Sequence, residues 1–168
     1  MKRIVADPLK CLACRSCELA CAVAHADSDD LVKAVIEGIA QPRVYVEAAG
    51  EMAVPLQCRH CEDAPCVQVC PTGALGRLDP EAPVLVDQGK CIGCEFCVQV
   101  CPFGVIRIAS DGKAVVKCDL CVSRLAQGLE PACVASCPVR ALTFEEIRED
   151  AARRRSQIAL RLASGESL

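Results

Sequence analysis

Apolar residues along this chain come in short bursts, and each burst runs into a knot of cysteines. RIVAD, MAVPLQ, PVLVD and AVVK are the four bursts, and their length and β-branched content predict brief strands. After three of the knots come PTGAL, PFGVI and PVRAL. Proline can continue neither a ladder nor a helix interior, so each marks a turn that releases the chain toward the next element. RVYVEAAGEMAVPL predicts a hairpin around Gly50. Two stretches show a longer period. SDDLVKAVIEG, residues 28–38, predicts a short helix with Ser28 as N-cap, Asp29 and Asp30 at the positive end and Gly38 as the stop. In the tail, Ile147, Ala151, Ile158 and Leu162 recur at helical spacing. Thr143 and Glu146 fit a capping box. Glu145, Glu146, Glu149 and Asp150 precede Arg153, Arg154, Arg155 and Arg161, the order a helix dipole favours. This tail helix either packs on its own domain or docks on a partner, and the sequence leaves both open.

Composition changes the picture sharply, because 16 of 168 residues are Cys. Three chemistries accommodate that count: a disulfide scaffold, a zinc protein or an iron–sulfur protein. Disulfide scaffolds belong to secreted chains. The opening MKRIVADPLKC has no apolar stretch of signal-peptide length and no twin-arginine leader, and no run is long enough to span a bilayer. A cytoplasmic location is therefore expected, where clustered cysteines stay reduced and hold metal. Net charge is −3, with no basic patch interleaved with aromatics, which argues against a nucleic-acid partner. Aromatic residues make up only 2% of the chain, so something else must fill its interior, and inorganic clusters would do so.

The cysteines form four groups: Cys11, Cys14, Cys17, Cys21; Cys58, Cys61, Cys66, Cys70; Cys91, Cys94, Cys97, Cys101; and Cys118, Cys121, Cys133, Cys137. Each group starts with a gap of two residues and ends with a gap of three; the middle gap is two, four, two and eleven in turn. Such repetition makes an internal repeat the organising principle. Zinc modules usually offer two separated CxxC pairs. A CxxCxxC run instead presents three thiolates from one tight loop, which suits one face of a [4Fe–4S] cube. Followed by three residues, Cys and Pro, it is the bacterial ferredoxin pattern, in which the fourth Cys ligates the other cluster. Four structural zincs are the competing reading, and it leaves the crossed spacing unexplained.

The second and third groups lie close in sequence, which predicts that they exchange fourth ligands and leave the first and fourth groups for each other. The predicted cofactors are four [4Fe–4S] clusters. Cys58, Cys61, Cys66 and Cys101 bind one; Cys91, Cys94, Cys97 and Cys70 bind the second. Cys11, Cys14, Cys17 and Cys137 bind the third; Cys118, Cys121, Cys133 and Cys21 bind the fourth. Pairing the first group with the second, and the third with the fourth, is also open on spacing alone.

CRHCEDAPCVQVCPTGAL, CIGCEFCVQVCPFGVI and CDLCVSRLAQGLEPACVASCPVRAL resemble the four-cluster ferredoxin-like electron-transfer subunits of which the dimethyl sulfoxide reductase beta subunit is the best-known member. The resemblance covers residues 3 to about 145. It implies nested pairing and an α+β fold of tandem bacterial dicluster ferredoxin-like halves, with short strands and helices around the clusters and a C-terminal helix. The expected division is a four-cluster domain over 1–143 and a helix and tail over 144–168. Within the domain, the outer half is 1–25 with 115–143, the inner half 54–109, and 26–53 bridge them. Lacking long insertions and a C-terminal anchor, the chain looks most like the compact subunits that serve CO dehydrogenase or tungsten aldehyde oxidoreductase. Ala22 stands where the other groups have Pro, which predicts a helical continuation through CAVAHA.

The resemblance implies a non-catalytic relay between a catalytic oxidoreductase subunit and an acceptor, either a flavin-containing subunit, a hydrogenase or a ferredoxin. No nucleophile–base pair or nucleotide fingerprint competes with that reading. A free-standing soluble polyferredoxin is the alternative. Exposed terminal clusters would also permit head-to-tail self-association into a filament. Of the two histidines, His25 is expected to cap a short helix and His60 to lie at the surface or beside a cluster; either could tune a cluster by hydrogen bonding. Lys10, Lys90, Lys117 and Arg59 adjoin ligands and are expected to be ordinary surface cations or to ease cluster reduction.

Overall fold

The computed structural model describes residues 2–26, 30–36 and 40–164. The apolar bursts form strands that pair two by two, giving four separate antiparallel ribbons. In chain order the elements begin with β1 (Lys2–Ala6) and a 3-10 turn (Pro8–Lys10), then α1 (Ser16–Ala24) and α2 (Leu31–Ile36). The hairpin β2 (Val44–Ala49) and β3 (Met52–Gln57) follows, then α3 (Pro65–Gln68), β4 (Leu75–Gly76), β5 (Leu85–Val86) and α4 (Phe96–Val100). The last are β6 (Arg107–Ile108), β7 (Val115–Val116), α5 (Val122–Leu125), α6 (Ala132–Ala135), β8 (Leu142–Glu146) and α7 (Ile147–Ala163).

Pairing is nested. β1 runs antiparallel to β8, with Val5 opposite Thr143 and Ile4 opposite Phe144, so the two ends of the chain close one ribbon. β2 pairs with β3, β4 with β5, and β6 with β7. The predicted hairpin turns at Gly50, whose φ of 63° suits glycine.

Two small cores result. One gathers Ile4 from β1, Val44 and Val46 from β2, Leu120, Val134 and Leu142, with Cys17, Cys21, Cys118 and Cys133 among them. The hairpin is therefore part of this core as well as a connection. The other gathers Ala64, Leu75, Val84, Ile106 and Val115 around Cys66 and Cys97. α1 packs on α6 beside the first core, and α3 packs on α4 beside the second.

One local expectation is corrected. Thr143 and Glu146 do not cap the tail helix; both lie in β8, and α7 starts at Ile147. Pairing with β1 overrides the local capping signal. Ser28, Asp29 and Gly38 lie outside the described residues, and Asp30 supplies the cap of α2, its Oδ1 accepting from Val32 N at 2.9 Å and Lys33 N at 3.1 Å. α7 touches β8 and β1, while Ile147, Ile158 and Leu160 stay exposed.

Candidate metal centre

Each cysteine group is built the same way. Its third member is the second residue of a helix: Cys17 in α1, Cys66 in α3, Cys97 in α4 and Cys133 in α6. All four are buried. That position exposes a sulfur to the unpaired N–H groups of a first helical turn, where negative charge is favoured. The fourth member comes one turn later, at Cys21, Cys70, Cys101 or Cys137, so each short helix delivers two thiols four residues apart.

The first gap is equally regular. The residue two after the first Cys has positive φ in every group: Ala13 (55°), His60 (47°), Gly93 (66°) and Leu120 (63°). For three L-residues this conformation costs roughly 1–2 kcal/mol each. The turn brings backbone N–H groups to sulfur: His60 N lies 3.4 Å from Cys58 Sγ and Leu120 N 3.4 Å from Cys118 Sγ. Fourth members receive the same treatment, with Arg43 N 3.3 Å from Cys21 Sγ and Ala141 N 3.1 Å from Cys137 Sγ. Donors arrayed around thiols suit thiolates held by metal.

Gly93 lies close against neighbouring backbone, because a Cβ there would lie 3.1 Å from Lys113 O. Gly93→Ala should lower the stability of the loaded protein by about 1–2 kcal/mol, read as a depressed midpoint in anaerobic thermal unfolding. Gly104→Ala, at a φ of 60° with no atom within 4 Å of the added Cβ, should cost less.

Folding brings the cysteines together across the groups. Cys58, Cys61, Cys66 and Cys101 line one cavity with His60, Val84 and Phe103. Cys70, Cys91, Cys94 and Cys97 line a second. Cys11, Cys14, Cys17 and Cys137 line a third. Four thiols apiece are what a common guest requires. The remaining four, Cys21, Cys118, Cys121 and Cys133, are all buried. Cys21, Cys118 and Cys133 share the first core, and one imidazole, that of His25, reaches Cys21 Sγ at 3.6 Å and Cys121 Sγ at 3.9 Å, so these four lie together. Burial, then the neighbouring Cys21, pushes the Cys133 thiol up. Burial likewise pushes Cys118 up to about 12, and Cys17 and Cys97 up to about 11. Thiols so protected stay protonated until a metal supplies the compensating charge.

Orphaned polar atoms fit the same guest. His60 is fully buried; its Nδ1 accepts from Val84 N at 3.0 Å, and its Nε2 has no partner among the described residues. Burial, then the charges of Lys117 and Arg3, push its pKa down to about 3, so it is neutral with the proton on Nε2. An unpaired buried N–H costs about 1–3 kcal/mol unless an acceptor occupies the cavity that His60 lines. The surface alternative for His60 is thus replaced by a buried one.

His25 caps α1 and also touches two cysteines. Its Nδ1 lies 2.7 Å from Cys21 O and 3.6 Å from Cys21 Sγ; its Nε2 lies 3.0 Å from Asp119 Oδ1 and 3.9 Å from Cys121 Sγ. Burial alone would lower its pKa, but hydrogen bonds to Asp119, Cys121 and Cys21 outweigh it and push it up to about 12. Arg43 Nη1 holds the other oxygen of Asp119 at 2.8 Å. Asp119 and Arg43 carried no sequence signal beyond their place beside Cys118 and ahead of β2.

The cations beside ligands divide. Lys10 and Lys90 are exposed and paired with Asp7 and Asp87 at 3.3 and 3.0 Å. Arg59 sits over the Phe103 ring at 5.9 Å. Lys117 is 2% exposed and departs from the surface expectation.

Residues 50–147 match the 4Fe-4S dicluster domain, and the chain belongs to that iron–sulfur family. It is 42% identical over 157 residues to an iron-sulfur protein of Rhodospirillum rubrum, spanning 86% of this chain and 82% of that one. It is 39% identical over 152 residues to the thiosulfate reductase electron transfer subunit PhsB of Salmonella typhi, spanning 85% and 74%. It is 36% identical over 157 residues to YnfG, a chain of the anaerobic dimethyl sulfoxide reductase type from Escherichia coli (strain K12), spanning 85% and 72%. The chain is thus an electron-transfer iron–sulfur protein of the dimethyl sulfoxide reductase beta type. Its cofactors are [4Fe–4S] clusters, and its sixteen cysteines fit four of them. No helix among the described residues is long and apolar enough to cross a membrane.

Proposed function

We propose that this chain is a non-catalytic cytoplasmic relay, carrying single electrons between a catalytic oxidoreductase subunit and a flavin-containing or ferredoxin acceptor. The four cysteine sets that meet in space are the ligand sets: Cys11/Cys14/Cys17/Cys137, Cys21/Cys118/Cys121/Cys133, Cys58/Cys61/Cys66/Cys101 and Cys70/Cys91/Cys94/Cys97. When bound, each cluster supplies reversible one-electron chemistry. The protein holds the sulfurs, donates backbone N–H groups to them and keeps the middle of the array dry. In this reading residues 1–143 form the four-cluster domain, the outer half being 1–25 with 115–143 and the inner half 54–109, joined through 26–53; 144–168 form the helix and tail.

The observation that carries the reading is the order of the sets. Cys17 of the first set shares a core with Cys21, Cys118 and Cys133 of the second, and Cys58 of the third packs against that same core. Cys66 of the third shares the other core with Cys97 of the fourth, with Cys61, Cys101, Cys70 and Cys91 packed on it. The sets therefore adjoin in a row. Both end sets carry exposed apolar side chains inside their motifs, Leu12 at one end and Ile92 and Phe96 at the other. Apolar surface beside a terminal cluster favours docking of a redox partner. The partner the motif resemblance points to is of the tungsten aldehyde oxidoreductase or CO dehydrogenase type, and two open ends permit head-to-tail stacking into a filament.

Anaerobic purification from the native host, followed by sedimentation and mass spectrometry, tests this. A metal-containing oxidoreductase subunit should co-purify, and its substrate should bleach the visible absorption of this chain. A stable monomer with no enzyme attached would favour the free polyferredoxin instead, and a strict one-to-one complex at all concentrations would rule out stacking.

A further inference from the structure

We propose that the buried ammonium of Lys117 joins the two middle sites of the row and raises the reduction potential of both. The inference rests on the cubane reading of those sites. Lys117 follows β7 and is 2% exposed. Its Nζ donates to Val84 O and, at 2.8 Å, to Cys118 O. Val84 lines the cavity of Cys58, Cys61, Cys66 and Cys101. Cys118 belongs to the neighbouring set. One side chain therefore fastens the wall of one site to a ligand residue of the next, at the junction between the two small cores. Among the described residues no carboxylate pairs with it.

A buried ammonium held only by carbonyl dipoles is costly, since taking a charge out of water is repaid only by an opposite charge close by. The anions on either side are the thiolates of the two sets that Val84 and Cys118 border. Val84 extends the arrangement, because its N–H donates to His60 Nδ1 while its carbonyl accepts from Lys117. His60 is thereby held in the same cavity wall with its Nε2 proton unpaired by protein. A fixed positive charge in a low dielectric stabilises the reduced, more negative state of a neighbouring cluster. Lys10 and Lys90 occupy the equivalent place before their cysteines but are exposed and neutralised by Asp7 and Asp87, so they lack this effect.

The test is a redox titration monitored by electron paramagnetic resonance on the anaerobic full chain, with iron content measured alongside. In Lys117→Met and Lys117→Gln, the two middle signals should move to lower potential. At a fixed potential their reduced-to-oxidised ratio should fall at least tenfold, about 59 mV for a one-electron couple. The two end signals, and all signals of Lys90→Gln, should match the wild type. Unchanged middle potentials in loaded neutral variants overturn the inference. If neither neutral variant loads iron, Lys117→Arg decides: loading with unshifted signals supports a requirement for charge, and failure to load overturns it in favour of packing. A wild-type chain without cubane iron would instead sink the reading on which the inference rests, and the iron content tells the two failures apart.

Discussion

Stripping iron from the anaerobic protein with a strong chelator should unfold nearly the whole chain. Far-ultraviolet circular dichroism should lose its helical signal and amide exchange should become fast throughout. The reason lies in what fills the interior. The first core has six aliphatic side chains, Ile4, Val44, Val46, Leu120, Val134 and Leu142, and shares its space with four cysteines. The second has Ala64, Leu75, Val84, Ile106 and Val115 with two more. Burying a large aliphatic side chain gains about 1.5–3 kcal/mol, whereas ordering the backbone costs about 1–2 kcal/mol per residue. Two-residue strands such as β4 and β7 and four-residue helices such as α3 and α6 have no stability of their own. Metal–thiolate bonds must supply the difference, so loading and folding are one event. Iron loss that left circular dichroism and exchange protection unchanged would show that the cores stand without the clusters.

Substituting single cysteines should produce the second large effect, and burial should grade it. Cys133→Ala removes a buried thiol at the start of α6 that is a member of the first core and of a proposed ligand set. It should lose one cluster, about a quarter of the iron, and destabilise the protein by several kcal/mol. A large-to-small core substitution alone costs about 2–5 kcal/mol, and the lost metal bond adds to it. Cys14 is exposed and belongs to neither core. Cys14→Ala should give a labile terminal cluster on an otherwise folded protein, with a thermal midpoint near that of the wild type. Equal destabilisation by the two would contradict this grading. Iron analysis and anaerobic thermal unfolding of the two variants read it directly.

How far the sequence spoke depended on the range of the signal. The cysteine grid was legible because ligand spacing is a local property: CxxC fixes a tight turn, and the final three-residue gap fixes one helical turn. The four apolar bursts and the Gly50 hairpin were legible for the same reason. The ribbon of β1 and β8 was not, since its partners lie at opposite ends of the chain and no local pattern names them. That distant pairing is why Thr143 and Glu146 read as a helix cap and fold as a strand. His60 inside polar CRHC read equally as a surface residue or one beside a cluster; the structure buries it in the wall of a cysteine cavity, on a positive-φ turn that aims its backbone N–H at Cys58.

The difference among the lysines was present in the sequence, three residues upstream. Lys10 follows Asp7 and Lys90 follows Asp87, whereas Lys117 follows Ala114 in an unbroken apolar strand. A lysine deprived of its acidic neighbour and preceded by AVV is one whose stem enters the interior.

The crosswise sharing of ligands is the claim on which the account stands, and Cys101→Ser tests it most directly. Cys101 is adjacent in sequence to Cys91, Cys94 and Cys97 but lines a cavity with Cys58, Cys61 and Cys66. In dithionite-reduced anaerobic samples examined by electron paramagnetic resonance, Cys101→Ser should alter the same cluster signal as Cys66→Ser and leave the signal altered by Cys97→Ser intact. If Cys101→Ser and Cys97→Ser instead perturb one common signal, each motif binds its own cluster and the crosswise account is wrong.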